Sequence, residues 1–282
     1  DQQWRALTIL PKTSTSRPRL RVIQELANRN ATNFPMVIRV DSRGDCHKVL
    51  QSWVRGHDLA RKIRHAEEHP ERWPGPLESF QILRNLAHGL TQLHSGTGLI
   101  HGDIKPGNLV MDRTRAFIVD FGCAWFFEQA AHRTEGEGIS GAYASPEQHR
   151  GDSPINFRSD YFSATVIAYQ LLTRQLPYDG LGGKAGRAEY GDAFLGKLVP
   201  PSQFNRQHEL LPGGFWQSID QIVLQNLAIN PNERSGRNDW LQALDDINSR
   251  LKLQPQLGVV SKGLLGIFDW FSGRTGKRSS QS

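Results

Sequence analysis

The chain has 282 residues, with 34 Lys and Arg against 28 Asp and Glu and a formal net charge of +6. At 38% hydrophobic and 22% charged residues the composition is ordinary for a globular protein, which excludes wholesale disorder, collagen and coiled coil. The length allows one large domain or two lobes that share a cleft. The small positive surplus suits a polyanionic small ligand as well as it suits nucleic acid.

Cysteine content and hydropathy argue against a disulfide-rich or membrane-spanning protein. Two cysteines, Cys46 and Cys123, cannot build a disulfide framework and favour a reducing compartment. The most apolar stretch of the tail is interrupted by Ser261, Lys262 and Asp269, so the sequence holds no run of 18 apolar residues. The chain begins with Asp and no signal peptide follows. We therefore expect a fragment that lacks something at its N-terminus.

The N-terminal region predicts short strands around one helix. Apolar runs predict strands over 4–10, 36–40 and 49–54, of which the last two flank a Gly-containing turn and form a hairpin. Apolar residues at helical spacing predict a helix over 19–30.

Beyond Gly56 the pattern changes to long helices. An apolar stripe predicts a core helix over 77–95, and a nearly continuous apolar run predicts a buried helix over 159–173. Six glycines between 180 and 196 favour a loop. The remaining predicted elements are a hairpin from 109–111 and 116–119 and two amphipathic helices over 219–227 and 240–251.

The residues that carry chemistry cluster in His101-Gly-Asp-Ile-Lys-Pro-Gly-Asn108, followed after the second hairpin by Asp120-Phe-Gly122. Carboxylate and carboxamide oxygens are hard ligands of the kind that Mg²⁺ prefers. An ammonium two residues after the first Asp can offset charge on a transferred phosphate, and one carboxylate can orient a hydroxyl nucleophile. The pattern therefore favours phosphoryl transfer.

Both motifs resemble those of the eukaryotic-like protein kinase family, and the resemblance runs from about Trp4 to Leu251. The first resembles the catalytic loop of that family and the second its metal-binding triplet. Three further motifs follow in family order: Ser145-Pro-Glu147 closing the activation segment, Ser159-Asp-Tyr-Phe-Ser163 opening the central helix, and Pro231-Asn-Glu-Arg234, whose Arg is expected to ion-pair with Glu147.

The resemblance implies a role for each residue of the two motifs. Asp103 would accept or orient the proton of the substrate hydroxyl, and Lys105 would contact the γ-phosphate of ATP. Asn108 and Asp120 would hold Mg²⁺. A Lys two residues after the Asp is the family's Ser/Thr-type signature, and Ser140 stands where the family places a Thr that contacts the catalytic loop.

The segment 47–56 resembles the last small-lobe strand and the hinge to the large lobe. In that register the carbonyl of Ser52 and the backbone of Val54 would face adenine, Gln51 would be the gatekeeper, and Asp58 would lie near the ribose.

Three features depart from the family pattern. Nothing before Trp4 supplies the Gly-rich strands that cover the phosphates, and Thr8 stands where the family has a Lys that pairs with a helix Glu. Glu25 fits that helix Glu, with Lys12 as a candidate substitute for the missing cation. Gly102 replaces the Arg that reads a phosphorylated activation loop, which makes this control less favoured.

Two further patterns have simple interpretations. His65-Ala-Glu-Glu-His69 matches a zinc-protease pattern, but Pro70 ends the segment at once, so a charged and solvated helix face is favoured over zinc. The tail 264–271 is amphipathic and basic residues follow it. A docked or disordered tail is the default interpretation, and a peripheral membrane contact is the alternative.

The sequence therefore predicts an α+β, two-lobed protein-kinase-like fold. We expect a partial small lobe over 1–54, a helical large lobe over 55–253 and an amphipathic, basic tail over 254–282. The predicted activity is that of a cytoplasmic, ATP- and Mg²⁺-dependent Ser/Thr kinase acting on protein hydroxyls, with no nucleic-acid partner. The alternative is a catalytically impaired pseudokinase that serves as a nucleotide-binding or protein-interaction module.

Overall fold

The structure is a computed structural model that describes residues 4–12, 16–27, 32–112, 115–128, 141–151, 154–190, 198–204 and 214–252. Ser140 and the tail 254–282 lie outside the described residues, as do the predictions that concern them.

A three-stranded antiparallel sheet forms the N-terminal part. Its strands are β1 (Arg5–Pro11), β2 (Val37–Asp41) and β3 (Cys46–Ser52), in the order β1-β3-β2. The β2–β3 hairpin is confirmed. Thr8 is paired with Val49 and Ala6 with Gln51 across the sheet, so the register fixes where each strand residue faces.

One helix, α1 (Ser16–Ala27), packs beside this sheet. Val22 and Leu26, four residues apart on one face, are buried. The helix begins three residues before its predicted start, and residues 28–30 lie outside the described chain. It also contacts the 121–123 turn, so it links the sheet to the second chemical motif.

The rest of the described chain is mainly helical and surrounds α5 (Phe157–Thr173), which is buried along nearly its whole length. Asn156 caps α5, because its side chain accepts a hydrogen bond from the amide of Arg158 at 2.8 Å. The other helices are α2 (Leu59–Glu68), α3 (Pro76–Thr97), α4 (Pro146–Arg150), α6 (Phe215–Asn226) and α7 (Arg237–Lys252). The predicted loop after residue 180 contains a short 3₁₀ turn, Gly182–Gly186.

Short strands frame the two chemical motifs. β4 (His57–Asp58), β6 (Leu109–Asp112) and β7 (Arg115–Ile118) form one small sheet, and β5 (Leu99–Ile100) pairs with β8 (Trp125–Phe126). The chain enters β4 through Gly56, at φ 127°, where a Cβ would overlap the carbonyl of Met111. Only glycine allows the backbones to approach so closely here.

One apolar core joins α1 and the segment before β2 to the helical part. Phe34 lies edge-on to Phe121, with ring centroids 5.5 Å apart. The amide of Ile118 donates to the carbonyl of Asn33 at 2.9 Å, and the Asn33 side chain donates to the carbonyl of Ala116 at 3.1 Å. The α+β, two-lobed architecture expected from the resemblance is confirmed. Within the described ranges no helix is long and apolar enough to cross a membrane.

Candidate active site

The 101–108 loop follows β5 and is held in place by Asp160, near the start of α5. Asp160 Oδ2 accepts from the amide of His101 and Oδ1 from the amide of Gly102, both at 2.8 Å. His94 of α3 bonds Oδ2 from the other side, also at 2.8 Å. Burial opposes ionisation, but the hydrogen bond and charge of His94 hold the pKa of Asp160 below its ordinary value. A buried carboxylate thus fixes the backbone of the loop to two core helices.

The structure brings Asp103, Lys105 and Asn108 together. Lys105 Nζ lies 2.8 Å from Asp103 Oδ2. Asn108 Nδ2 donates to Asp103 Oδ2 and to the Asp103 carbonyl, each at 2.9 Å. Asp103 and Asn108 are buried, whereas about a third of the Lys105 side chain is exposed. The carboxylate of Asp103 is therefore oriented by two donors from its own loop.

Asp120 lies next to this group because the strand before it is bonded to the loop. The amide of Val119 donates to the carbonyl of Asn108 at 2.9 Å. Asp120 has φ 62°, in the left-handed region, and its Oδ1 accepts from the amide of Gly122 at 3.1 Å. The carboxylate is exposed rather than packed. The second predicted motif thus adjoins the first.

His101 has a structural role. Its Nε2 lies 3.2 Å from the carbonyl of Val119, and its Nδ1 accepts from the amide of Asp103 at 3.3 Å. Complete burial lowers the pKa of this imidazole, and one donating and one accepting nitrogen fit the neutral ring. His101 therefore ties the loop to the segment that carries Asp120.

A second buried anchor lies at α4. Arg234 makes a two-pronged ion pair with Glu147, Nη1 to Oε1 at 2.8 Å and Nη2 to Oε2 at 2.9 Å, with both side chains fully buried. The predicted pair is confirmed. The next residue, Gln148, donates from Nε2 to the carbonyl of Gly102 at 2.8 Å. Through α4, the Arg234 pair supports the 101–108 loop.

The predicted hinge residues line up at the end of β3. Gln51 and Ser52 are its last two residues, and Val54 is half-buried just beyond. The Ser52 hydroxyl accepts from the amide of Met36 at 2.9 Å, which ties the end of β3 to the start of β2. Asp58 caps α2, with Oδ1 accepting from the amide of Arg61 at 2.7 Å. Asp58 thus has a structural role in addition to its predicted ligand role.

The small-lobe cation is not supplied by Lys12. Lys12 Nζ donates to the carbonyl of Ser42 at 2.7 Å, in the β2–β3 turn, so the structure does not support this candidate as a substitute for the lysine missing at Thr8. The other lysine of the described sheet, Lys48, is exposed and points away from its buried neighbour Val49, because successive strand side chains alternate between faces. Glu25 lies half-buried on α1.

The functional importance of Asp160, His94 and Gln148 was missed from the sequence. Asp160 carries a recognisable signal, since a lone carboxylate in a continuous apolar run is costly unless it is hydrogen-bonded. His94 is buried on α3 and bonds to Asp160, which lies 66 residues further along the chain. For Gln148 the sequence offers no signal beyond its place after Glu147.

The histidine pair at the end of α2 forms an exposed cluster. Ligand atoms of His65, Glu68 and His69 lie within 4.8 Å of one another. Arg72 Nη1, however, lies 2.9 Å from His65 Nε2. A guanidinium at that nitrogen opposes a bound cation, so the cluster is explained as the charged helix end that the sequence favoured.

Comparison with known proteins agrees with this geometry. Residues 4–244 match the family described as "Protein kinase domain". The chain is 30% identical over 228 residues to "Serine/threonine-protein kinase PknB" of Mycobacterium leprae, which covers 76% of this chain and 33% of that protein. The same-named protein of Mycobacterium tuberculosis H37Rv is 29% identical over 229 residues, with the same two shares.

A more distant relative is "Serine/threonine-protein kinase pkn3" of Myxococcus xanthus, 25% identical over 236 residues, or 77% of this chain and 40% of that protein. The chain thus spans about a third of the length of the PknB relatives. The family match covers well over half of the chain and coincides with the buried loop, the adjoining Asp120 and the Glu147–Arg234 pair. The chain therefore belongs to the protein kinase family, as a eukaryotic-like Ser/Thr kinase member.

Proposed function

We propose that the chain transfers the γ-phosphate of ATP to Ser or Thr hydroxyls of protein substrates, in a reaction that requires Mg²⁺. The observation that carries this proposal is the oriented carboxylate of Asp103, which receives donors from Lys105 at 2.8 Å and Asn108 at 2.9 Å. A carboxylate held in this way can take up the proton as the hydroxyl oxygen forms its bond to phosphorus and ADP leaves.

The residues beside Asp103 fit a magnesium nucleotide. Asn108 uses its Nδ2 for Asp103, which leaves Oδ1 with no partner among the described residues. The carboxylate of Asp120 is exposed and engages only one oxygen, Oδ1, within the described chain. Two hard oxygens on adjoining segments suit Mg²⁺. When bound, ATP supplies the transferred phosphoryl group and Mg²⁺ offsets its charge.

Adenine would lie against the hinge. Ser52 and Val54 offer backbone groups at the end of β3, and Gln51 lies opposite Ala6 of β1 in the sheet. The hydroxyl and the amide of Ser52 are both engaged with Met36. The groups proposed to face the base are therefore the carbonyl of Ser52 and the backbone of Val54. Asp58 and Glu25 remain proposed nucleotide-cleft residues by resemblance.

We further propose that the chain is a non-RD kinase, with Gly102 where the family pattern has an Arg before the catalytic Asp. Gly102 has φ 71°, its amide donates to Asp160, and its carbonyl accepts from Gln148. This position holds the loop but offers no cation to a phosphorylated activation segment. The ATP requirement suits a cytoplasmic location.

The test replaces Asp103 by Asn, which keeps the size and polarity of the side chain and removes its charge. We expect phosphate incorporation into a protein acceptor such as casein to fall by at least about a hundredfold. The thermal midpoint of unfolding should stay within a few degrees of wild type. The matched control is Asp112→Asn, the same change at the end of β6, which should retain full activity. Equal incorporation by wild type and Asp103→Asn would contradict the proposal.

A pseudokinase is the second candidate, because the described sheet directs neither Lys12 nor Lys48 towards the cleft and Thr8 carries no charge. Thermal unfolding with Mg-ATP separates the two. A nucleotide at 100 times its Kd stabilises a protein by about 2.7 kcal/mol. A shift of that size together with phosphate transfer supports the kinase. Binding without transfer supports the nucleotide-binding pseudokinase, and the absence of both supports a protein-interaction module.

A further inference from the structure

A cavity of about 380 Å³ adjoins Lys105 on the face of the large lobe. It lies where α2, the 101–108 loop and the segment before α4 meet, and Gln170 of α5 also lines it. Lys105 reaches from its edge to Asp103, with 2.8 Å between Nζ and Oδ2. A polypeptide that presents a hydroxyl to Asp103 therefore passes this cavity. The residues that line it are Ala60, Ile63, Arg64, Glu67, Lys105, Pro106, Gly107, Tyr143 and Gln170.

The interior of the cavity is largely apolar. Ile63 and Pro106 are buried, and Ala60 is half-buried beside them. The hydroxyl of Tyr143 donates to Gln170 Oε1 at 2.7 Å, so these two polar groups satisfy each other. Burial raises the pKa of Tyr143, so the phenol stays neutral at physiological pH. A charged side chain placed in this interior would lose hydration without gaining a partner of opposite charge there.

The charges of the cavity lie at its edge. Arg64 and Glu67 are exposed residues of α2, and they carry opposite charges. Lys105 is ion-paired with Asp103. The lining therefore offers an entering side chain a neutral, apolar interior and an edge with no strong excess of one sign.

We infer that this cavity selects substrates that carry a large apolar side chain, such as Leu, Met or Phe, close to the phosphorylated Ser or Thr. The inference rests on the proposed kinase function and names a substrate class for it. The volume falls within the range of about 300 to 1,000 Å³ that is typical of ligand pockets, so a small side chain would leave it unfilled. Because an extended peptide advances about 3.3 Å per residue, the selected side chain belongs to a residue only a few positions from the acceptor.

The experiment measures phosphate transfer to a set of peptides in which one position around a central Ser or Thr is fixed and the others are mixed. For the wild-type chain we expect one position at which Leu, Met or Phe gives about tenfold more transfer than Gly, Asp or Lys. Ala60→Leu fills the cavity and should abolish this preference, measured as the ratio of transfer to the Leu peptide over transfer to the Gly peptide. The matched control is Arg61→Leu, which adds the same side chain to an exposed site on the same helix outside the cavity and should keep the preference.

A second variant tests whether the neutral interior of the cavity sets the preference. Gln170→Glu keeps the size of the side chain and the acceptor for the Tyr143 hydroxyl, but adds a negative charge. We expect the preference at the same position to change from apolar residues to Lys or Arg, by about tenfold. A residue with only a structural role would lower all rates together and would not change which peptides are selected.

The outcomes separate the two proposals. If the wild-type chain phosphorylates all peptides equally, prefers a charged residue, or keeps its preference in Ala60→Leu, the kinase function stands and the pocket inference is wrong. If the wild-type chain transfers no phosphate to any peptide above the Asp103→Asn level, the proposed function fails, and the inference that rests on it fails with it.

Discussion

The most demanding test of the fold concerns the buried pair between Arg234 and Glu147. Both side chains are fully buried, and their two hydrogen bonds measure 2.8 and 2.9 Å. Arg234 also donates to the carbonyls of Ala228 at 2.8 Å and Ile229 at 3.2 Å, and Glu147 accepts from the Ser159 hydroxyl at 2.7 Å. Both charged groups therefore have several hydrogen-bond partners, and removal of one member of the pair would leave a buried, uncompensated charge.

We expect Arg234→Ala to lower the free energy of unfolding by about 3 to 5 kcal/mol. In a chain of this size such a loss lowers the thermal midpoint by roughly 10 °C. Arg234→Lys keeps the charge but loses the two-pronged geometry, and should fall between Ala and wild type. The control Arg250→Ala removes an exposed Arg of α7, 3.0 Å from the Ser218 hydroxyl, and should cost at most about 0.5 kcal/mol.

Urea unfolding of the single and double variants measures the coupling. If Glu147→Gln is already present, Arg234→Ala should cost much less, because no carboxylate is then left unpaired. Arg234→Ala should also reduce phosphate transfer, since α4 holds the carbonyl of Gly102 through Gln148. A cost below about 1 kcal/mol, or an equal cost in both backgrounds, would refute the reasoning that this pair stabilises the fold.

Two further predictions concern packing and pH. A Cβ on Gly183 would overlap the carbonyl of Ala144, so Gly183→Ala should lower the free energy of unfolding by about 1 to 3 kcal/mol in urea. Gly107→Ala, at an exposed position where a Cβ meets nothing, should cost at most about 0.5 kcal/mol. If both variants unfold alike, the close approach at Gly183 is wrong. Burial raises the pKa of Glu78 to about 7 and lowers that of Lys62 to about 8. Between pH 4.5 and 7 the folded state keeps a proton on Glu78 that the unfolded chain loses, so the free energy of unfolding should fall as the pH rises. Between about pH 8 and 10.5 the unfolded chain keeps a proton on Lys62 that the folded state loses, so the free energy of unfolding should rise with pH. In Glu78→Gln the urea midpoint should depend less on pH between pH 4.5 and 7 than in wild type. The same dependence in both proteins would contradict the raised pKa of Glu78.

The long helices and both hairpins were predictable because their patterns are local. The apolar stripe that predicted a helix over 77–95 corresponds to α3, whose ends are fixed by Pro76 in its first turn and by Gly98 at φ 67°. The strands β5 and β8 were not predictable, since two residues each are too short for any alternation. The direction of the Lys12 side chain was also not predictable, because Ser42, which accepts its hydrogen bond, is 30 residues away in sequence.

In the candidate site, too, the local contacts were predictable from the sequence and the distant ones were not. Asp103, Lys105 and Asn108 lie within six residues, so their spacing is visible in the sequence and their contacts are local. The anchor of this loop is not local, because Asp160 lies 58 residues beyond Gly102. No periodicity indicates which buried backbone amides a distant carboxylate will satisfy, although its burial demands that it satisfy some.

The anchors of the 101–108 loop bear on the effect of Thr8. His94, Asp160 and Gln148 all belong to the helical part, and His101 binds the segment before Asp120. None of these contacts passes through the sheet that carries Thr8. The hydrogen bonds that position the 101–108 loop, and with it Asp103, are therefore independent of the altered strand. Under the proposed function, the missing strand lysine would weaken the hold on the nucleotide phosphates and would leave Asp103 in place, so the departure at Thr8 does not by itself argue against phosphate transfer.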